Sequence, residues 1–165
     1  MPKPVTLHPN TRLVATSKAD IKAAAGEGKK PTFSTMAYAG GAITPDYYYA
    51  PAPVVIDLSG LKANEPIAAL LDHRDDSIVG QSTSVTIDAN GVNVEGILTG
   101  DVSNPDDPAG KVALHARNGF VWKTSLGVKI TRLEKIEAGE TVTVNGRDFT
   151  GPGYICRAGV SIHAR

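Results

Sequence analysis

Two Asn-Gly dipeptides constrain the fold of this chain most strongly, because each follows a short run of alternating apolar and polar residues. Asn-Gly favours the left-handed backbone of a two-residue hairpin turn, and such alternation is typical of half-buried strands. Asn90-Gly91 joins residues 79–87 to residues 92–98, and Asn145-Gly146 follows residues 141–144. The sequence therefore predicts two β-hairpins.

Most of the other segments also predict strands. Residues 31–38 alternate, residues 53–58 form a compact β-branched run, and residues 120–130 predict a central strand. One helix is expected, with Asp107 at its N-cap and Pro108 in its first turn. We therefore expect a mainly β fold with helices, either a β-barrel or a closed antiparallel sheet.

The sequence divides into two unequal parts. Residues 1–30 are expected to form a flexible N-terminal arm, in which residues 17–25 could form a short capped helix that ends at Gly26. Residues 31–165 are expected to form one β domain, since a chain of 165 residues is long enough to bury a core.

Composition disfavours several classes of partner. Seventeen basic and seventeen acidic residues balance, which points to neither nucleic acid nor a membrane surface. No apolar run approaches the roughly 18 residues that span a bilayer, and residues 1–10 lack the apolar core of a secretion signal. The single cysteine, Cys156, fits a reducing cytoplasm and is expected to be a small buried side chain rather than a nucleophile.

Neither a metal nor a cofactor is expected. The four histidines are scattered, and no phosphate-binding loop or dinucleotide fingerprint occurs. Residues 72–76 are acid-rich, but one histidine among exposed aspartates is a poor metal site. His115 is expected on the surface of the helix.

Ser125 and His73 are the candidate nucleophile and general base. Ser125 lies within the predicted strand at residues 120–130, and His73 follows the apolar run at residues 67–71. A serine nucleophile needs a base to take its proton and donors to hold the oxyanion, and these groups can come from distant positions. The alternative roles are structural: a strand serine bonded to backbone, and a surface histidine bonded to Asp75 or Asp76.

Several short motifs resemble, in order, those of the prohead maturation proteases of tailed bacteriophages, a serine endopeptidase family related in fold to herpesvirus assemblin. The resemblance covers about residues 31 to 160. The pieces that carry it are Ala37-Tyr38-Ala39-Gly40-Gly41, Pro53-Val54-Val55-Ile56-Asp57-Leu58-Ser59-Gly60-Leu61, Leu70-Leu71-Asp72-His73, Val79-Gly80, Val94-Glu95-Gly96-Ile97-Leu98, Gly119-Phe120-Val121-Trp122-Lys123-Thr124-Ser125-Leu126-Gly127, Val144-Asn145-Gly146-Arg147 and Gly151-Pro152.

This resemblance implies an assemblin-like fold in which Ser125 attacks a peptide carbonyl and His73 shuttles the proton. It implies that the substrates are the phage scaffold and major capsid proteins and the protease itself, with a homo-oligomeric state. The implied location is the host cytoplasm, inside the assembling prohead. The alternative on the same fold is a catalytically inactive capsid-assembly or scaffold module.

The chain departs from the family near its C-terminus. The family commonly continues past the region of Arg157-Ala158-Gly159 into a strand with a Glu that supplies the third catalytic member, and no such Glu follows here. His163 could orient His73 instead, the final strand could be truncated or self-processed, or activity could be lost. Lys123 could form a Ser-Lys dyad with Ser125. A third hypothesis is a carbohydrate- or protein-binding barrel that uses Tyr47, Tyr48 and Tyr49.

Overall fold

A computed structural model describes residues 17–44, 52–124, 128–129, 132–157 and 161–162, and shows a mainly β fold, as predicted. The strands within these residues are β1 (Ser17–Lys22), β2 (Thr32–Tyr38), β3 (Val54–Ile56), β4 (Lys62–Ala63), β5 (Ala68–Leu70), β6 (Ile78–Asp88), β7 (Gly91–Leu98), β8 (Lys123–Thr124), β9 (Val128–Lys129), β10 (Leu133–Ile136), β11 (Thr141–Val144), β12 (Arg147–Thr150), β13 (Gly153–Cys156) and β14 (Ser161–Ile162). A helix, α1 (Pro108–Arg117), and two 3-10 turns, Leu58–Gly60 and Leu71–His73, complete the described elements.

Six strands form a curled antiparallel half-barrel in the order β5-β6-β7-β2-β1-β8. The predicted hairpin at Asn90-Gly91 is confirmed, with β6 and β7 paired from Gly80↔Leu98 to Asp88↔Gly91. The two edges of this sheet lead to the two candidate residues: β5 leads into His73, and β8 immediately precedes Ser125.

Smaller sheets cover the half-barrel. In the order β10-β13-β3, the first two strands are antiparallel and β13 is parallel to β3. The second predicted hairpin is also confirmed: β11 and β12 pair across Asn145-Gly146, where Asn145 has φ 54°. In the sheet β4-β14-β9, β14 runs parallel to β4 and antiparallel to β9.

The helix follows the predicted capping chemistry. Asp107 adopts an extended backbone and its carboxylate accepts a hydrogen bond from the Ala109 amide at 2.8 Å, while Pro108 occupies the first turn. The helix stops at Asn118, and Gly119 follows with φ 85°. Val112 and Ala109 face the half-barrel and join Val79 and Leu98 in one apolar cluster.

Two predictions of secondary structure are wrong. Residues 17–22 form strand β1 rather than a helix, so this part of the predicted arm belongs to the main sheet, between β2 and β8. A helix there would have little apolar face to bury, whereas a strand places Ala19 and Ile21 on one face toward the core.

The structure also differs from the prediction of one central strand at residues 120–130. Phe120 and Val121 are 55% and 53% exposed and lie outside any strand, and β8 is at the edge of its sheet rather than at the centre. The apolar run that suggested a buried strand is partly a surface feature, since only Trp122 of its first three residues packs against the core.

Candidate active site

His73 ends a 3-10 turn at the edge of the half-barrel. Reciprocal bonds hold the start of this edge, because the Ile67 amide donates to Ser82 Oγ and the Ser82 amide donates to the Ile67 carbonyl, both at 2.8 Å. The Leu71 amide then donates to the Ser77 carbonyl at 2.9 Å, which closes the loop that carries His73. His73 is half-buried.

The backbone at His73 adopts an unusual conformation. Asp72 has φ 54° and His73 has φ 56°, both in the left-handed region that side chains with a Cβ disfavour. This conformation costs roughly 1–2 kcal/mol per residue, although aspartate and histidine adopt it more often than most residues that have a side chain. Retained strain of this kind concentrates at functional sites, where the fold aims a side chain.

The aspartates beside His73 have partners of their own. Asp76 forms an exposed bidentate ion pair with Arg74, with Arg74 Nη2 at 2.9 Å from Asp76 Oδ2, and also accepts from Ser77 Oγ at 3.3 Å. The Arg74 guanidinium lowers the pKa of the Asp76 carboxyl. The Asp76 carboxylate therefore already accepts hydrogen bonds from Arg74 and Ser77. The expectation that His73 is bonded to Asp75 or Asp76 stays a prediction.

Ser125 lies outside the described residues, as do His163 and Tyr47, Tyr48 and Tyr49. The structure does describe what precedes Ser125. Strand β8 pairs with β1 in the register Ser17↔Thr124 and Lys18↔Lys123, and the Ala19 amide donates to the Trp122 carbonyl at 2.9 Å. These contacts fix the chain three residues before the candidate nucleophile.

Trp122 is the anchor of this edge. Its indole Nε1 donates to the Val112 carbonyl of α1 at 3.1 Å, and its ring meets the Phe120 ring edge-on with centroids 4.8 Å apart. His115 is exposed on the helix, as predicted, and its ring lies 6.2 Å from that of Trp122. A half-buried indole held by both a hydrogen bond and packing is a rigid support.

One apolar cluster connects the two candidate segments. Leu71, two residues before His73, and Trp122, three residues before Ser125, both pack against the cluster formed by Val79, Leu98 and Val112 with Ala109. Since β5 and β8 are opposite edges of the curled sheet, this shared packing brings both edges to the same core cluster under α1.

Lys123 is exposed and stands directly opposite Lys18 in the adjacent strand. Strand alternation places Lys123 and a residue two positions later on the same face, but Ser125 itself is not described. The Ser-Lys dyad therefore stays a prediction, and Lys123 points into solvent.

Cys156 is a buried thiol, as predicted. It is 0% exposed, and burial raises the pKa of the Cys156 thiol to about 12 from 9.0. A thiol in this state carries no significant thiolate at neutral pH, and the thiolate is the nucleophilic form. Cys156 is accordingly a packing residue of the core beside Tyr38 and Ile56.

The same burial predicts a loss of stability at alkaline pH. Burial also raises the pKa of Tyr38 to about 12 from 10.0. The unfolded chain releases both protons first, so the free energy of unfolding should fall between pH 9 and 12, by about 1.4 kcal/mol per pH unit for each ionising group. Urea titrations at pH 7 and at each pH unit from pH 9 to 12 measure this.

A matched pair of variants separates the two groups. Cys156→Ala should remove the fall in the free energy of unfolding that begins near pH 9. Tyr38→Phe should remove the further fall that begins near pH 10. Identical slopes in the parent and in both variants would contradict this assignment. Because each variant also loses core contacts, the slopes are compared rather than the absolute stabilities.

A second polar site was not predicted from the sequence. A cavity of about 510 Å³ is lined by Asp57, Asp88, Asn145 and Arg157 among others. Arg157 follows β13 and its Nε donates to Glu134 Oε2 at 2.7 Å, while its Nη1 lies 3.5 Å from Asp57 Oδ2. These charges lie near the ends of the three-stranded sheet β10-β13-β3, a proximity that only the strand order creates.

Within the described residues no group of three His, Cys, Asp or Glu side chains is placed to hold a metal ion. No helix in the described part of the chain is both long and apolar enough to cross a lipid bilayer. Comparisons of the chain with protein-family models, with curated proteins and with solved structures found no match.

Proposed function

We propose that this protein is a serine endopeptidase of the prohead maturation type, with Ser125 as nucleophile and His73 as general base. The observation that carries the proposal is the shared packing of Leu71 and Trp122 on the cluster under α1. It supports the pairing because Leu71 and Trp122, which are 51 positions apart in sequence, are fixed at the two edges of one curled sheet, each just before its candidate catalytic residue.

Chain length limits how far each candidate lies from its anchor. With consecutive Cα atoms about 3.8 Å apart, His73 Cα lies within about 8 Å of Leu71 Cα, and Ser125 Cα within about 11 Å of Trp122 Cα. Both candidates thus start from anchors on one cluster, which is compatible with a hydrogen bond between their side chains. The strained backbone of Asp72 and His73 adds a second, independent indication of function at this position.

The proposed reaction is acyl transfer in two steps. His73 accepts the Ser125 hydroxyl proton as Oγ attacks the peptide carbonyl carbon, and the protonated His73 then gives that proton to the departing amine. Water, deprotonated by His73, attacks the resulting ester and releases the carboxylate product, which restores the Ser125 hydroxyl.

His163 is the proposed orienting residue for His73. Strand β14 supports this, because Ile162 pairs with Val128 of β9 in antiparallel register and His163 is the next residue after Ile162. Within the proposal, His163 would hold the His73 tautomer as the carboxylate does in other serine proteases.

The proposed substrates are scaffold and major capsid proteins of a phage prohead, together with a second copy of the protease. The proposed location is inside the assembling prohead in the host cytoplasm. These assignments rest on the resemblance of the sequence motifs, and the β-rich half-barrel is compatible with them.

Labelling by a fluorophosphonate probe tests the nucleophile without knowledge of the substrate. The parent chain should acquire one covalent phosphonyl group on Ser125, located by peptide mass spectrometry, and Ser125→Ala should acquire none. Ser84→Ala, at an exposed serine on β6, is the matched control and should label like the parent. The same three proteins are then incubated with scaffold protein, and cleavage is followed by gel electrophoresis.

The outcomes distinguish the hypotheses. Labelling and cleavage by the parent and the Ser84 variant, with neither in the Ser125 variant, support the endopeptidase. A full-length parent that neither labels nor cleaves scaffold, itself or capsid protein would end the proposal in favour of an inactive assembly module.

A further inference from the structure

Three hydroxyl groups meet on one face of the half-barrel, immediately before Ser125 in the chain. Thr124 Oγ1 lies 2.6 Å from Thr35 Oγ1 and 3.1 Å from Ser17 Oγ, and Ser17 Oγ lies 3.0 Å from Thr35 Oγ1. Each hydroxyl can therefore donate to one neighbour and accept from the other. We call Ser17, Thr35 and Thr124 the hydroxyl triad.

The hydroxyl triad joins two strands that do not pair with each other. Thr35 belongs to β2 and Thr124 to β8, and β1 lies between these strands and pairs with both. In a flat sheet β2 and β8 would be roughly 10 Å apart. Their side chains meet because the sheet curls toward this face, and because the small Ser17 stands directly opposite Thr124. The bond between Thr35 and Thr124 therefore fixes β8 relative to the curled sheet.

Strand β8 is short, so its backbone pairing specifies its position weakly. It has two residues, it is an edge strand in the described part of the chain, and its register with β1 is Ser17↔Thr124 and Lys18↔Lys123. A slip of one residue would turn Thr124 to the opposite face and break its bonds to both hydroxyls. Trp122 anchors the segment before β8, whereas the hydroxyl triad acts on the last residue before Ser125.

Packing alone does not account for hydroxyls at these three positions. Strand alternation places Ser17 on the same face of β1 as Ala19 and Ile21, which face the core. Apolar groups of the same shape can replace a set of hydrogen-bonded polar groups with little change in stability. Hydrogen bonds are directional, however, and therefore hold the side chains of the hydroxyl triad in one arrangement.

We propose that Thr35 is a positioning residue for the candidate nucleophile: its hydroxyl holds Thr124, and thereby sets where the backbone of Ser125 begins. This inference rests on the proposed role of Ser125. Thr35 takes no part in the chemical steps and acts through Thr124. A displacement of about 1 Å at a reacting group can lower a rate about a hundredfold, so a small shift of Thr124 should slow attack by Ser125.

The rate constant of fluorophosphonate labelling tests this role in the full chain. Thr35→Val keeps the shape of the side chain and loses the hydroxyl, so its rate constant should fall at least about tenfold. Thr35→Ser keeps the hydroxyl and should stay within about threefold of the parent. Thr32→Val makes the same substitution at an exposed threonine of β2 and should stay within about twofold.

Hydrogen exchange of the Ala19 amide tests the structural step without any need for activity. This amide donates to the Trp122 carbonyl at 2.9 Å, so its exchange reports how firmly the segment leading into β8 is held on β1. Measured by NMR, its exchange should be at least about threefold faster in Thr35→Val and unchanged in Thr35→Ser. The Ser82 amide, bonded to the Ile67 carbonyl in another part of the sheet, is the control and should exchange at the parent rate in both variants.

A second variant tests which bond of the hydroxyl triad matters. Ser17→Ala leaves the 2.6 Å contact between Thr35 and Thr124 in place, so its labelling rate constant should fall less than that of Thr35→Val. If the parent labels and Thr35→Val labels at the same rate, this inference alone is wrong. Equal acceleration of exchange at Ala19 and Ser82 would also overturn it, because the substitution would then act on global stability. A parent that does not label would overturn it together with the proposed role of Ser125.

Discussion

Replacing Asn145 by alanine is expected to lower the free energy of unfolding by about 2–4 kcal/mol, because three backbone groups lose their hydrogen-bond partner. The Asn145 carbonyl accepts from the Leu58 amide at 2.9 Å, and its amide donates to the carbonyls of Gly40 and Ile56 at 3.1 and 2.8 Å. Leu58 and Ile56 are 4% and 1% exposed, but Asn145 is half-buried and lines the cavity beside Asp57, so water can replace only part of these bonds. Chemical denaturation followed by Trp122 fluorescence measures the loss.

Two control variants isolate the side chain of Asn145. Asn145→Gly keeps the left-handed backbone at φ 54° available and still removes all three hydrogen bonds, so it should lose nearly as much stability as the alanine variant. Asn90→Ala changes the asparagine of the other Asn-Gly dipeptide, which is the second residue of its turn and has an exposed side chain, and should cost less than about 0.5 kcal/mol. A glycine variant as stable as the parent would assign the effect to backbone strain instead.

Asn145 also shows how far the sequence predicts this structure. The dipeptide Asn145-Gly146 predicts the hairpin, because turn chemistry is local and depends on the left-handed conformation alone. The same side chain also joins β3, the loop after β2 and the β11–β12 hairpin, which are 87 to 105 residues apart in the chain. That role depends on how the sheets pack and has no local signature.

The error at residues 17–22 has a clear cause. These residues have a weak local preference, and they become strand β1 by pairing with β2 on one side and with β8 on the other. Pairing between segments more than 100 residues apart overrides local propensity, which is a weak prior. Hairpin β11–β12 and α1, whose signals are local, were predicted with their correct turn and capping residues. Hairpin β6–β7 was predicted correctly as a hairpin, but its turn is formed by Ala89 and Asn90, and Gly91 begins β7.

For the candidate site too, local signals in the sequence could be predicted and contacts between distant segments could not. A histidine after an apolar run and a serine after an aromatic run can be identified in the sequence, and the resemblance of the motifs assigns their roles. The left-handed backbone of Asp72 and His73 has no sequence signature, because neither residue is a glycine. Likewise, nothing local to Leu71 or Trp122 indicates that one core cluster holds both.

If the proposed mechanism holds, replacing His73 by alanine should reduce peptide cleavage at least about a thousandfold, since Ser125 would lose the group that accepts its proton. Replacing it by glycine should reduce cleavage equally, because both variants lack the imidazole. The two should differ in stability: at φ 56° glycine avoids the Cβ penalty, so the glycine variant should be more stable than the alanine variant by about 1 kcal/mol.

Arg74 supplies the matched control for this comparison, since its backbone is extended with φ −93°. At that conformation the order should reverse, with Arg74→Gly less stable than Arg74→Ala because glycine gains more freedom in the unfolded chain. Both Arg74 variants should retain cleavage, because the ion pair of Arg74 with Asp76 is exposed. Cleavage at the parent rate by either His73 variant would remove His73 from the mechanism. A cleavage defect in all four variants would show instead that the loop conformation, and not the imidazole, limits the reaction.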